Sequence, residues 1–243
     1  MRAFRQRGQG AAGREYHDPR SARHGLVRYV LAPLARLGYR PRVEGLSNVP
    51  ASGPVIIAAN HRAVLDTAVI SLVVRRQVRF LGKAEYFTGR GLRGRLMAAF
   101  VDALGFVPVE RGNAHAGLAA LNAGQNALNA GGVFAIYPEG TRSRDGRLHR
   151  GHTGVAVLAL TTGAPVVPVA LFGTEKLMPR GGKIPRPARV AVRFGEPLDF
   201  TAVTERNLRA RRAVTDEVMA AIRELSQQEY VNTYHRRPDE NIA

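Results

Sequence analysis

The residue pair best suited to moving a proton at an alcohol is His61 and Asp66, in the stretch Asn60-His61-Arg62-Ala63-Val64-Leu65-Asp66. On an uninterrupted helix, five residues place two side chains about 140° apart, at roughly 100° per residue. The two can meet if the chain turns after His61 and Asp66 lies in the first turn of the next helix. There the carboxylate accepts a hydrogen bond from imidazole Nδ1–H, which fixes the tautomer and leaves Nε2 free to take a proton from a hydroxyl. The competing reading is a surface histidine beside an N-capping aspartate.

Two further blocks carry charge at the end of an apolar run. Val133–Ile136 leads into Tyr137-Pro138-Glu139-Gly140-Thr141-Arg142-Ser143. Pro138 stops a strand and Gly140 permits a tight turn. Glu139 and Arg142 can simply pair, or Arg142 can clamp a phosphate while Thr141 or Ser143 donates further bonds. The block Gly105-Phe106-Val107-Pro108-Val109-Glu110-Arg111-Gly112 repeats the pattern. Three short strands would then deliver His/Asp, Glu/Arg and Glu/Arg to the loops that follow them, which points to one site.

Other chemistries fall away. The chain has no cysteine, so a cysteine nucleophile, a disulfide framework and thiolate zinc sites are excluded. No Gly-x-Ser-x-Gly elbow is present. Gly89 to Gly94 matches Gly-x-Gly-x-x-Gly but does not directly follow a strand, as a dinucleotide site requires. His115, His149 and His152 show no metal-ligand spacing and are expected at the surface, so no metal is implied.

The charge balance names a partner class. Lys+Arg number 36 against 19 Asp+Glu, a formal +17 over 243 residues. All the cations except Lys83, Lys176 and Lys183 are arginine, whose planar, permanently charged fork suits phosphate oxygens. Nucleic acid, an anionic membrane and a phosphorylated small substrate all fit that bias. No zinc pattern or aromatic RNA-binding block supports a basic nucleic-acid-binding protein, the different-class alternative.

The elements that must position these residues form an α/β pattern. Strands are expected at Val55–Asn60, Val78–Gly82, Phe106–Val109, Val133–Tyr137, Val166–Leu171 and Arg189–Phe194. Helices are expected at about 64–75, 90–104, 114–130 and 151–163, with a last one opening near Thr204. Such alternation predicts a mostly parallel central sheet flanked by helices. In front of it, residues 1–24 read as a disordered basic arm and 25–40 as an amphipathic helix. That helix lies either on a membrane surface or on its own domain. The main domain is expected at 41–230 and a disordered tail at 231–243. No window is apolar enough for a transmembrane helix. The stripe Leu92, Leu96, Met97, Phe100, Val101 and Leu104 suits either a core helix or one dipping into headgroups.

Four blocks in order, NHRAVLD at 60–66, GFVPVER at 105–111, YPEGTRS at 137–143 and VVPVAL at 166–171, resemble the 1-acylglycerol-3-phosphate O-acyltransferase family of glycerophospholipid acyltransferases. The resemblance covers roughly residues 45–200. It implies acyl transfer from acyl-CoA, or acyl carrier protein, to the free hydroxyl of 1-acylglycerol 3-phosphate (lysophosphatidic acid), forming phosphatidic acid. Another lysophospholipid or glycerol 3-phosphate is the alternative acceptor. By the resemblance, His61 is the general base and Asp66 its orienting partner. Lys83, Arg111, Glu139, Gly140, Thr141 and Arg142 would contact substrate. No cofactor is implied beyond the acyl donor as co-substrate, and the expected location is peripheral, on the cytoplasmic face of the cell membrane. This chain departs from the pattern at Tyr137, where Phe is usual, at Glu110, where many members have Asp, and at His152, where lysine is frequent.

Overall fold

The computed structural model of the chain describes residues 41–83, 105–109, 114–178 and 186–235, with isolated helical positions between 91 and 101. Its centre is the strand β2 (Val55–Ala59), whose five residues are all buried. An unbroken apolar run of this kind is what a strand covered on both faces requires. Side chains alternate across the sheet: Val55, Ile57 and Ala59 enter one hydrophobic cluster, while Ile56 and Ala58 enter the other.

Around β2 the chain builds a seven-stranded sheet. The other members are β1 (Arg42–Glu44), β3 (Val78–Lys83), β4 (Phe106–Val109), β5 (Val133–Ile136), β7 (Val166–Phe172) and β8 (Ala191–Phe194). The order is β1-β8-β7-β2-β5-β3-β4. The five strands β7, β2, β5, β3 and β4 run parallel. β8 turns back antiparallel to β7 and carries β1 parallel to itself at the edge. A separate two-stranded ladder joins β6 (Leu148–His149) to β9 (Tyr230–Val231).

Helices cover both faces. α1 (Asp66–Val73) follows β2 and buries Val69, Ile70 and Val73 in the first cluster. α2 (Ala114–Asn129), α3 (Gly154–Thr162) and α5 (Leu208–Ser226) pack on the second. Val155, Leu158 and Leu160 of α3 are buried together with Ala156 and Ala159, so this helix has almost no polar stripe of its own. A single short turn, α4 (Thr174–Leu177), follows β7. α5 starts four residues after the expected Thr204, because Asn207 caps it by accepting the Ala210 amide at 2.8 Å.

Three differences from the sequence reading stand out. β1, β6 and β9, of three, two and two residues, are too short to show a period. Residues 231–235, expected in a disordered tail, are ordered against the main domain: Val231 pairs with His149, and Tyr234 stacks on His152 at 4.6 Å. His149, expected at the surface, is buried. The arm 1–24, the helix 25–40 and most of the stripe 92–104 lie outside the described residues. Among the described residues, no helix is long and apolar enough to cross a membrane.

Candidate active site

The pairings of β2 explain why distant residues converge. Ala58 lies opposite Ile136 of β5, and Ala59 opposite Val169 of β7. Asn60-His61 and Tyr137-Pro138 therefore leave the sheet side by side at its carboxyl edge, where parallel α/β sheets hold ligands. Asn60 closes the other flank. Its Oδ1 accepts the Leu171 amide at 2.8 Å, and its Nδ2 donates to the Leu171 carbonyl and to Gln228 Oε1.

After Asn60 the chain turns and meets α1. Asp66 is the first residue of that helix and is fully buried. Three donors converge on its Oδ2: the amides of Arg62 and Ala63 at 2.7 and 2.8 Å, and His61 Nδ1 at 2.8 Å. A carboxylate oxygen already accepting two amides makes the ring nitrogen the donor, which leaves Nε2 with its lone pair. The Tyr137 ring lies on the imidazole with centroids 3.9 Å apart and planes 11° from parallel. Its hydroxyl shares a 2.9 Å hydrogen bond with Thr67 Oγ1. Burial first, and the Asp66 charge second, raise the Tyr137 pKa well above that of an ordinary phenol, against the Thr67 bond. The phenol is therefore neutral at physiological pH.

The turn after β5 is tied to the same loop. Ser143 N–H donates to the His61 carbonyl at 2.7 Å, so the segment bearing Arg142 runs directly beside the one bearing His61. Gly140 sits at φ +72, and a Cβ there would come within 3.0 Å of the His152 ring. Conformation and space both call for glycine. Arg142 is exposed; among the described residues its guanidinium has no ion-pair partner. Asp145 gathers Ser143 Oγ, Arg147 and His149 Nε2. Although partial burial works the other way, the bonds from His149, Arg147 and Ser143 hold its carboxyl well below the usual range. Among the described residues no cluster of histidines and carboxylates could hold a metal ion.

The motif order and this geometry agree with a sequence comparison. The family model described as Acyltransferase matches residues 40–172, more than half of the chain.

The chain belongs to the acyltransferase family.

Among its relatives is the chloroplastic 1-acyl-sn-glycerol-3-phosphate acyltransferase of Arabidopsis thaliana, 32% identical over 146 residues, 60% of this chain and 39% of that protein. The corresponding Brassica napus enzyme is also 32% identical, over 60% of this chain and 41% of its own. The match thus spans about two fifths of these plant proteins. A crystal structure of the 1-acyl-sn-glycerophosphate acyltransferase PlsC from Thermotoga maritima superposes with a TM-score of 0.61 at 27% identity, covering 87% of this chain and 83% of that one.

The acyltransferase fold brings His61, Asp66, Glu139, Gly140, Thr141 and Arg142 to one edge. Glu139, however, does not face outward as a substrate contact would. It is 1% exposed, and its oxygens accept the His61 amide at 3.2 Å and the His149 amide at 3.0 Å. It is a brace between the His61 loop and β6, and it does not pair with Arg142. Backbone amides beside His61 are also unavailable as oxyanion donors, since those of His61, Arg62 and Ala63 already donate to Glu139 and Asp66. Lys83 ends β3, but its side chain lies outside the described residues, as do Glu110 and Arg111. Tyr137 was legible as a departure from the usual Phe, although its stacking on His61 was not.

The brace carries a pH dependence. Burial raises the Glu139 carboxyl from 4.5 to about 7, against the opposing bonds from the His149 and His61 amides. A carboxyl whose pKa rises on folding adds stability that is fully present below its unfolded value and is lost as pH climbs through about 7. Glu139→Gln replaces one acceptor with a donor facing an N–H, at a cost of about 1–3 kcal/mol. Thermal melts should show the largest gap between wild type and Glu139→Gln near about pH 5, narrowing by about pH 8 as wild type loses its contribution. A gap constant across that range would contradict the assignment.

Proposed function

We propose that this chain transfers an acyl group from an acyl thioester, acyl-CoA or acyl carrier protein, to the free hydroxyl of 1-acylglycerol 3-phosphate, forming phosphatidic acid. The observation that carries this reading is the Ser143–His61 bond. It puts the Arg142 guanidinium, without an ion-pair partner among the described residues, and the His61 ring on adjoining segments, which supports one small molecule presenting its phosphate to Arg142 and its hydroxyl to His61. The names of the relatives in Arabidopsis, Brassica and Thermotoga support the same acceptor.

In this reading His61 Nε2 takes the hydroxyl proton as the oxygen attacks the thioester carbonyl. The carbon–oxygen bond forms, the tetrahedral adduct collapses, and the carbon–sulfur bond breaks. The proton then passes from His61 to the departing thiolate. Asp66 opposes the positive charge that the ring carries in between. No enzyme nucleophile is needed because the thioester is already activated. Because acceptor and product are lipids we place the reaction at a membrane surface, and because the acyl thioester is a water-soluble donor of the cytoplasm we place it on the cytoplasmic face. Exposed Arg206 and Arg209 flank Leu208, itself 78% exposed, at the start of α5, and suit contact with anionic headgroups.

A panel of lysophospholipids and glycerol 3-phosphate, offered with one acyl-CoA and read by product mass, tests the acceptor. Lysophosphatidic acid should turn over fastest; preference for an acceptor without a terminal phosphate monoester would reject this reading. Arg142→Ala should raise the KM for lysophosphatidic acid by about tenfold to hundredfold, the loss of one charge-assisted hydrogen bond. The acyl-CoA KM should stay within about twofold, and an effect confined to the donor would contradict a phosphate role.

A further inference from the structure

We propose that Tyr137 is a positioning residue for His61, holding the imidazole plane through a face-to-face stack that is itself anchored by the Tyr137–Thr67 hydrogen bond. This rests on the reading of His61 as the base.

One hydrogen bond does not fix an imidazole. The ring turns about two side-chain torsions, and the Nδ1–Asp66 contact at 2.8 Å fixes only one distance, so coupled torsional motion can still tilt the plane and move Nε2. A second restraint on the plane is needed, and the Tyr137 ring at 3.9 Å and 11° supplies it. That ring is in turn fixed by its hydroxyl, bonded at 2.9 Å to Thr67 Oγ1. Thr67 is buried and is the residue after Asp66. The contacts therefore close a circuit from Asp66 to His61, Tyr137 and Thr67, and back through the α1 backbone. Tilting the imidazole toward the partly buried phenol must push that ring against its bond to Thr67, and tilting it away gives up the stack or the bond to Asp66. The stack also places the ring's π face against the imidazolium formed during turnover, a favourable arrangement for a cation. Phenylalanine at 137 would keep the stack but could not reach Thr67 with a hydroxyl, so the anchor depends on the residue by which this chain departs from its family.

The test uses Tyr137→Leu, Tyr137→Phe and Thr67→Val in the full chain, with two independent readouts. The first is kcat and KM for lysophosphatidic acid. The second, without substrate, is the ring-nitrogen NMR spectrum of His61, assigned by its disappearance in His61→Ala. Wild type should show a single tautomer with hydrogen on Nδ1. Tyr137→Leu should show averaged ring nitrogens and a kcat about tenfold to hundredfold lower, as expected when a reacting group is displaced, with KM within about twofold. Tyr137→Phe and Thr67→Val should fall between it and wild type, phenylalanine recovering most of the stack. If wild type does not acylate lysophosphatidic acid, the acceptor reading fails, and the spectra alone decide the positioning role. A wild-type tautomer signal in all three variants would overturn it. So would a loss in Tyr137→Leu that raises KM as much as it lowers kcat. Should Tyr137→Leu fail to fold, unchanged kcat and spectra in the other two would overturn it equally.

Discussion

His61→Ala should lower kcat for acyl transfer to lysophosphatidic acid by about a thousandfold, the middle of the range for a positioned general base, while the protein stays folded. The structural cost is small because the backbone of His61 does the structural work. Its amide donates to Glu139 and its carbonyl accepts from Ser143, and neither contact involves the ring. What the alanine removes is the stack on Tyr137 and one of three donors to Asp66 Oδ2; the other two remain. The imidazole side chain is 18% exposed, so the space it vacates opens to water and leaves no sealed cavity. A loss of about 1 kcal/mol lowers the melting midpoint of a chain this size by roughly 2–4 °C. Single-turnover measurements should show the defect in the chemical step, with binding of both substrates intact. Turnover within about tenfold of wild type would remove His61 from the role of base.

How far the sequence anticipates this site depends on the distance over which each contact is made. The His61–Asp66 pair was readable because both residues lie within one seven-residue turn, between a strand stopped by polar residues and a helix that begins on the aspartate. The central strands were readable for a similar reason: Val55–Ala59 and Val133–Ile136 are unbroken apolar runs. Glu139 was not: in the sequence it reads as a partner for Arg142 or a substrate contact at the sheet edge. Its burial is decided by amides from two other elements, ten and 78 positions away. His149 is the same case, being covered by the Asp145 turn and by a C-terminal segment that pairs with β6 across the whole domain. Short ladders such as β6–β9 have no periodicity to detect; this one exists because α5 returns the segment after it to the loop that follows β5. Sequence signals thus name the residues that act locally, whereas the braces that hold them become visible only in three dimensions.

Asp66→Asn separates the two jobs of the buried carboxylate. The amide oxygen of asparagine can occupy the place of Oδ2 and continue to accept from the Arg62 and Ala63 amides and from His61 Nδ1–H. Its NH2 then falls where Oδ1 stands, a buried atom with no hydrogen-bond partner among the described residues. An unpaired donor there costs about 1–3 kcal/mol, tolerable for a domain with this much buried sheet. The negative charge, however, is gone. Two unit charges about 4 Å apart attract by about 4 kcal/mol at the effective dielectric of a protein surface, and a neutral amide returns only part of that to the imidazolium. We therefore expect Asp66→Asn to fold, to bind both substrates with KM near wild type, and to lose about 10²- to 10³-fold in kcat. Asp66→Ala should behave differently. It leaves two loop amides without their acceptor, at about 2–5 kcal/mol in all, so the melting midpoint should drop by roughly 5–15 °C along with the activity. If asparagine melted as early as alanine, the carboxylate would be chiefly a fastening for the turn. If asparagine retained full kcat, the charge would have no part in the chemistry, and the tautomer set by the hydrogen bond would suffice on its own.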